Sequence, residues 1–453
     1  MDIVKNIIKY ITYPTELRLL GRRELLLSYR ELQEKQYRSL EENCAEQRKL
    51  LYDILQYAIK NVPYYKELAN REKIKISLDT VEKDLKKFPV LTKEIIRNEG
   101  SRLFSNNNIP YVMSTSGGST GEPVQLRHDK TISLFNTDKY FLSFAGYDIG
   151  DKIMLLWGSE KDIFRGTLGI KAEISNRFIQ RVRWLNSFKM DEDKMYEYVG
   201  CINKWKPKVI RAYIQSAYEL AVFIKKNKLV VHSPSGIVVS AGTLFPDWKQ
   251  LIEEVFKCPV INQYGSREVS GIAISCPGSS HLHCNMFMNY VEIVDENGRE
   301  TIRGEDGRVI ITNLQNRSMP LIRYEIGDIA SVPEEDSCGC GRNTPMLGHV
   351  KGRTVNVFRT RTGTRVDGEY FTHLFYGKEW VNRFQVIQKD YEKIEVYIEL
   401  QKGKEPISSE INELKEKIRL VMGEGCKVKI QYKEKILPSS SGKNLYTISE
   451  LKD

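Results

Sequence analysis

The sequence predicts an α/β fold with a large N-terminal domain and a small α/β C-terminal domain. Three observations carry this. From about residue 110 to 270, short apolar runs alternate with amphipathic stretches, as in a parallel-rich sheet covered on both faces. After about residue 285, short runs are separated by turn residues, which predicts a β-hairpin subdomain. Near Gly352 the pattern changes again, into a compact α/β unit. The expected boundaries are therefore 1–351 (helical 1–105, α/β core 106–284, β-rich subdomain 285–351) and 352–453.

Residues 15–100 read as helices, because Leu32, Tyr37, Leu40, Leu50, Leu51, Leu55 and Ile59 fall at three- and four-residue spacings. Pro63, Pro89 and Gly100 punctuate them. The apolar runs Ile153 to Trp157, Val209 to Tyr213 and Gly236 to Ser240 read as buried strands, separated by helices at Ser216 to Lys226 and Pro246 to Phe256. Tyr290 to Val294, the Asn297-Gly298 turn, Gly307 to Leu314 and Asp328 to Val332 read as antiparallel hairpins. The last hundred residues offer strands at Phe384 to Ile387 and Lys393 to Leu400. A helix with Ile411, Leu414, Ile418 and Val421 on one face follows, then a strand at Lys427 to Tyr432.

The 453 residues are 41% hydrophobic and 28% charged, which excludes a disordered chain, a collagen-like fibre and a small disulfide scaffold. The net charge of +10 favours anionic partners. It is spread without a long like-charge run and no groove-reading motif accompanies it, so nucleic acid is not expected as a partner. No run reaches the ~20 apolar residues of a membrane helix, and the N-terminus does not read as a secretory signal. With eight Cys, this predicts a reducing, cytoplasmic location. Ile3, Val4, Ile7, Ile8 and Ile11 recur at helical spacing beside Lys5 and Lys9. Such a stripe is expected to pack on the body of the protein; the other reading is a peripheral, membrane-surface helix.

The strongest local signal is Ser114-Thr115-Ser116-Gly117-Gly118-Ser119-Thr120-Gly121-Glu122-Pro123. Its glycines let backbone approach a ligand closely, and its hydroxyls can bond phosphate oxygens. The Gly-Lys-Ser/Thr ending of a P-loop is missing, so the segment is read as another kind of phosphate loop, set before a helical stretch.

This loop resembles the phosphate-binding loop of the adenylate-forming superfamily of acyl-CoA synthetases, adenylation domains and luciferases. Other segments resemble that family in the same order: Tyr264-Gly265-Ser266-Arg267-Glu268, Tyr324-Glu325-Ile326-Gly327-Asp328, Gly352-Arg353, and Pro438-Ser439-Ser440-Ser441-Gly442-Lys443. Asn61-Val62-Pro63-Tyr64-Tyr65, Phe88 to Lys93 and Met319 to Tyr324 are most similar to the phenylacetate–CoA ligase-like branch, especially members associated with capsular polysaccharide biosynthesis. The resemblance implies a mobile C-terminal lid and an ATP- and Mg²⁺-dependent ligase. By resemblance, Thr115, Ser116, Gly117, Gly118, Ser119, Thr120 and Gly121 would cradle the β- and γ-phosphates. Glu268 would hold Mg²⁺, with Arg267 in the position beside the α-phosphate. Tyr264, with Gly265 and Ser266 following, would lie on the adenine, and Ser240-Ala241-Gly242 would line its edge. Asp328 and Arg353 would bind the ribose, and Lys443 would reach the α-phosphate and the carboxylate.

Two departures matter. Arg267 stands where many members have Thr. Thr354, Val355 and Asn356 fill the places where an Asp usually serves as the pivot of the small domain, which puts a CoA-dependent second step in doubt.

Cys276-Pro277-Gly278-Ser279-Ser280-His281-Leu282-His283-Cys284 and Cys338-Gly339-Cys340-Gly341 suit tetrahedral Zn²⁺, the alternative being buried free cysteines. Some members of the nearer branch have zinc sites of this layout. Mapping gives Cys276, His283, Cys338 and Cys340 as ligands, with His281 or Cys284 as substitutes. Trp157, Tyr213, Gln215 and Ser216 lie at predicted strand ends and are candidates for the acyl pocket.

The expected function is activation of a small carboxylic acid by ATP as acyl-AMP, then transfer to a thiol, amine or sugar acceptor, in polysaccharide or cell-surface biosynthesis. Rival readings are a phenylacetate or aryl-CoA ligase of catabolism, a catalytically idle nucleotide-binding scaffold, and an enzyme that leaves AMP on the acceptor.

Overall fold

The computed structural model describes residues 2–19, 23–115, 124–130, 134–157, 179–187, 190, 192–335, 337–353, 357–361, 365–367, 371, 374–375, 378, 380–436 and 446–451. Contacts divide the chain into two compact units, one running in the main to Val350 and the other from Lys351.

The first unit opens with helices α1 (Ile3–Ile7), a π-helical turn (Ile8–Thr12), α2 (Tyr13–Leu19), α3 (Arg23–Lys35), α4 (Leu40–Asn61), α5 (Pro63–Arg71), α6 (Val81–Leu85) and α7 (Lys93–Glu99). Local chemistry sets their ends. Ser39 and Glu42 form a reciprocal capping box at the start of α4, and Pro63 occupies the first turn of α5, where its missing N–H costs nothing. Leu51, Leu55 and Ala58 of α4 and Tyr65 and Leu68 of α5 are buried in one core with Val309, Ile311 and Ile322.

Next come strands β1 (Tyr111–Thr115) and β2 (Gln125–Asp129), an antiparallel pair. The segment after the glycine-rich loop is thus a strand, not the helix expected; β2 gains a full ladder by folding back on β1. Helix α8 (Leu134–Ser143) leads into the main sheet, built from β3 (Ile153–Trp157), β4 (Val182–Asn186), β5 (Val209–Tyr213), β6 (Gly236–Ser240), β7 (Val260–Ser266), β8 (Ser270–Ser275) and β9 (Leu282–Cys284). Helices α9 (Glu192–Trp205), α10 (Ile214–Lys226) and α11 (Pro246–Phe256) connect its parallel strands. The strands in the middle of the sheet run parallel as expected, and β6 is buried along its whole length.

Strands β10 (Asn289–Val294), β11 (Asp306–Asn313), β12 (Tyr324–Ser331), β13 (Met346–Leu347) and β14 (Val350–Arg353) follow. The main sheet has the order β13-β9-β8-β7-β6-β5-β3-β4, with an antiparallel edge made of β8, β9 and β13. A second sheet has the order β10-β11-β12-β14. Here β12 starts four residues before the expected Asp328, because Tyr324 and Ile326 are core residues.

A buried ion pair fastens this sheet to the helical layer. Arg323 donates from Nε to Glu292 Oε2 at 3.2 Å, its Nη2 lies 3.1 Å from Oε1, and its Nη1 donates to the Phe88 carbonyl at 3.0 Å. Arg323 adopts a left-handed backbone (φ +51°), held by Thr312 Oγ1 accepting its N–H and Leu91 N–H donating to its carbonyl. Burial pushes the Glu292 carboxyl up, and Arg323 opposes that shift.

The second unit contains β15 (Val357–Arg359), β16 (Arg365–Asp367), β17 (Val381–Asp390), β18 (Lys393–Leu400), helix α12 (Ser408–Met422), β19 (Lys427–Tyr432) and β20 (Thr447–Ser449). Its four-stranded sheet has the order β19-β18-β17-β20. Leu414 and Ile418 of α12 pack with Val396 and Ile398. Among the described residues no helix is long and apolar enough to cross a membrane.

One expectation is overturned. Of the N-terminal apolar stripe only Ile8 is buried, while Ile3, Val4, Ile7 and Ile11 are exposed. The body offers carboxylates at this contact, so the lysine face of the helix docks instead.

The ion pair gives a direct test. Arg323→Met leaves the Glu292 charge buried without a counter-ion and is expected to cost about 3–5 kcal/mol in urea unfolding, with much of that recovered in the Arg323→Met/Glu292→Leu pair. A single variant as stable as the parent protein would contradict this.

Candidate functional site

The main sheet changes direction between β3 and β5. From β3 the chain moves outward to β4, and from β5 it moves the other way to β6 and β7. At such a switch point the helical connections part and leave a crevice at the carboxyl ends of the strands. Trp157 and Tyr213 are the last residues of β3 and β5, and their rings meet there at 4.1 Å and 33°. The Arg211 guanidinium lies 5.2 Å from the Trp157 ring, and its Nη1 donates to Asp138 Oδ1 at 3.0 Å. Ser216 is buried in the first turn of α10.

One strand further along, Tyr213 pairs in register with Ser240, which ends β6. Ala241 follows in a left-handed conformation (φ +66°). A Cβ at Gly242 would meet Ile214 Cγ2 at 2.6 Å, so the chain can pass α10 this closely only without a side chain. Trp157, Tyr213 and the Ser240–Gly242 turn thus occupy one edge of one sheet.

The next strand, β7, ends in the turn that carries Glu268. The Glu268 and Val269 N–H groups both donate to Ser266 Oγ, at 3.2 and 3.3 Å. This side-chain turn lets the chain reverse into β8. Tyr264 is half-buried against the core. At Gly265 a Cβ would come within 2.7 Å of the Ser270 carbonyl oxygen. Arg267 is exposed, whereas Glu268 is buried. Glu268 lines a small cleft with His128, Asp129, Ser270, Asn313 and Asn316, closed on its apolar side by Val269 and Met288.

His128 and Asp129 come from β2, one arm of the hairpin that embraces residues 116–123. Thr115 stands opposite Gln125 at the top of that hairpin, and His128 Nε2 lies 2.7 Å from Ser114 Oγ across it. Asp129 N–H donates to Asn316 Oδ1 at 3.2 Å. The hairpin therefore brackets the glycine-rich segment at one end and contributes to the Glu268 cleft at the other. Sequence reading missed His128, Asp129, Asn313 and Asn316, because strand pairing, not spacing, brings them together. Ser116, Gly117, Gly118, Ser119, Thr120, Gly121 and Lys443 lie outside the described residues, as do the side chains of Thr115, Gln215 and Arg353. Asp328 is buried in β12, after Gly327 at φ +86°.

The Cys/His segments converge. Donor atoms of Cys276, His283, Cys338 and Cys340 all lie within 4.8 Å of one another. Cys276 Sγ is 3.4 Å from Cys338 Sγ, and His283 Nε2 is 3.0 Å from Cys338 Sγ and 3.3 Å from Cys340 Sγ. Alternation along β9 explains the selection. Leu282 and Cys284 turn into the core, so His283 points the other way, toward the thiols. Cys284 and His281, the expected substitutes, are not in the quartet.

The donors suit a soft tetrahedral cation. Burial, the nearby Arg342 and His281 hold the His283 imidazole down to about 4, so it stays neutral. Its Nδ1 lies 3.1 Å from Thr344 Oγ1, which leaves Nε2 toward the sulfurs. Burial and the neighbouring thiols push Cys276 up to about 12. Burial raises Cys338 as well and works against Cys340, where bonds from Cys338 and Arg342 win and lower it. Three thiols this close cannot all ionise without a cation among them.

With the geometry in view, the comparisons with known proteins are consistent. Residues 358–450 match the CapK C-terminal domain. The chain is 22% identical over 414 residues to protein CapK of Staphylococcus aureus, covering 87% of each. It is 26% identical over 341 residues to phenylacetate-coenzyme A ligase of Thermus thermophilus, covering 70% of this chain and 73% of the relative. Among solved structures, a 2-hydroxyisobutyryl-CoA ligase in the postadenylation state, in complex with 2-HIB-AMP, aligns with TM-score 0.67 at 17% identity, covering 89% of each chain. The chain has the fold of the adenylate-forming ligases and resembles CapK and the phenylacetate–CoA ligases over most of its length.

The Gly265 contact yields a prediction. Gly265→Ala must push the Ser270 backbone away and is expected to cost about 1–3 kcal/mol in denaturant unfolding. Parent-like stability would contradict the close approach.

Proposed function

We propose that the chain is an adenylate-forming ligase that activates a carboxylic acid as its acyl-adenylate and passes the acyl group to an acceptor in the assembly of a cell-surface polysaccharide. The observation that carries this reading is that Glu268 lines one cleft with His128 and Asp129, from the hairpin that brackets the glycine-rich segment, within a chain that has the ligase fold. The polysaccharide role is supported by the match of residues 358–450 to the CapK C-terminal domain.

In the first step a carboxylate oxygen attacks the α-phosphorus of ATP, the bond to the bridging oxygen breaks, and pyrophosphate leaves. Two anions must meet, so positioning and charge stabilisation supply the catalysis. In this reading Ser116–Gly121 hold the outer phosphates, Tyr264 stacks on the adenine, and Asp328 with Arg353 receives the ribose hydroxyls. Glu268, a buried carboxylate lining a small cleft with Asp129, fits a hard cation, and Mg²⁺ held there would supply charge neutralisation at the phosphates. Lys443, brought in by a mobile C-terminal lid, stabilises charge at the α-phosphate and the carboxylate. The acid is received between Trp157, Tyr213 and Ser216. In the second step the acceptor attacks the acyl carbon and AMP leaves. CoA is one candidate acceptor, as for the phenylacetate ligases, although Thr354, Val355 and Asn356 replace the usual pivot.

The Cys276–His283–Cys338–Cys340 quartet binds a structural Zn²⁺ in this reading, because four protein donors leave no open position for chemistry. It joins the end of β8 and strand β9 to the loop before β13, at the opposite end of β8 from the turn that carries Glu268.

Two measurements test these assignments. ATP–pyrophosphate exchange across a panel of carboxylic acids should identify at least one substrate. Lys443→Ala should lower that exchange by roughly a hundredfold or more while ATP still binds; undiminished exchange in the variant, or none with any acid, would contradict the proposal. Metal analysis of the purified chain should find about one zinc per molecule, released as pH falls because protons compete for the thiolates, and lost in Cys340→Ser. A chain that is folded and zinc-free would contradict the zinc site.

A further inference from the structure

Helix α1 and the π-helical turn after it meet the rest of the first unit with the face that amphipathic helices usually turn outward. Lys5 Nζ lies 2.8 Å from Asp151 Oδ2, Lys9 Nζ 2.5 Å from Asp148 Oδ2, and Arg181 Nη1 2.8 Å from Asp2 Oδ2. These charges dock the helix on the turn before β3 and on the residue before β4. Only Ile8, Tyr13 and Leu17 are buried beneath it. The opposite face is left bare: Ile3, Val4, Ile7, Tyr10 and Ile11 are 71, 52, 46, 63 and 62% exposed. They recur at helical spacing and form one stripe over about a third of the circumference. Such a face in water is unfavourable unless something covers it.

Size, shape and charge select the cover. Five side chains of this kind present on the order of 500 Å², well below the ~800 Å² per partner of a stable protein interface. The stripe is one helix wide, and its one polar atom is the Tyr10 hydroxyl, an arrangement suited to the boundary between acyl chains and headgroups. Arg18, Arg22 and Arg23 follow it within a few residues and outnumber the nearby acids Glu16 and Glu24, a basic balance that complements an anionic surface. Because no described helix can cross a membrane, the contact lies in the membrane plane.

We propose that Ile3–Ile11 is an interfacial anchor that seats this protein on an anionic membrane, with the stripe of Ile3, Val4, Ile7, Tyr10 and Ile11 inserted at headgroup depth. The ion pairs to Asp148, Asp151 and Arg181 hold the helix flat so that the whole body follows it to the surface.

The test is co-sedimentation of the full chain with vesicles of phosphatidylglycerol and phosphatidylcholine, and with phosphatidylcholine alone. The parent protein is expected to pellet with the anionic vesicles and less with the neutral ones. Ile7→Glu/Ile11→Glu is expected to weaken binding roughly tenfold or more, and Ile7→Ser/Ile11→Ser by less, with thermal midpoints unchanged because both positions are exposed. The proposal is overturned if the parent protein stays in the supernatant with both vesicles, or if the Glu variant pellets as the parent does. It is also overturned if, without lipid, the parent sediments as a dimer that the Glu variant dissolves, since the stripe would then belong to a second copy.

Discussion

The reversal of direction between β3 and β5 is the constraint on which the proposed site depends. Parallel strands joined by helices all end at one edge, and ligands bind where the connections diverge. Trp157 and Tyr213 meet at this opening, and the next strands bring the Ser240–Gly242 turn and then the Tyr264–Glu268 turn to the same side. The site is thus a property of strand order before it is a property of any side chain. Gly242 and Gly265 then let backbone pass at distances that a Cβ would forbid.

Two fastenings hold the sheets around it. The Arg323–Glu292 pair links β10, β11 and the helical layer in a dry environment, where losing either partner strands a charge. The four Cys and His donors gather the antiparallel end of the main sheet around one point. One fastening is ionic and the other suits a metal, so their stabilities respond to different conditions. Salt has little access to the first, while protons compete directly for the second.

Much of the fold was legible in the sequence because its strongest signals are local. Ile153–Trp157, Val209–Tyr213 and Gly236–Ser240 form strands over the expected residues, and Pro246–Phe256 forms the expected helix. Runs buried on both faces leave little ambiguity of period. The failures have a common physical source. The segment after the glycine-rich loop forms β2 because a partner strand lies beside it, and the surroundings of Glu268 come from His128, Asp129, Asn313 and Asn316, whose meeting needs that pairing. The N-terminal stripe points outward because Asp148 and Asp151, far along the chain, claim Lys9 and Lys5. The metal quartet was legible to within two alternatives; the alternation of β9 turns Cys284 into the core, and His281, which precedes that strand, is not in the quartet.

The central claim is that an acid oxygen becomes bonded to the α-phosphorus of ATP. A panel of carboxylic acids labelled with oxygen-18 in both carboxylate positions, incubated with the enzyme, ATP, Mg²⁺ and an acceptor, tests it by mass analysis of the nucleotide released. The account predicts AMP carrying one heavy oxygen from the acid. Unlabelled AMP, or ADP with the label in inorganic phosphate, would contradict it.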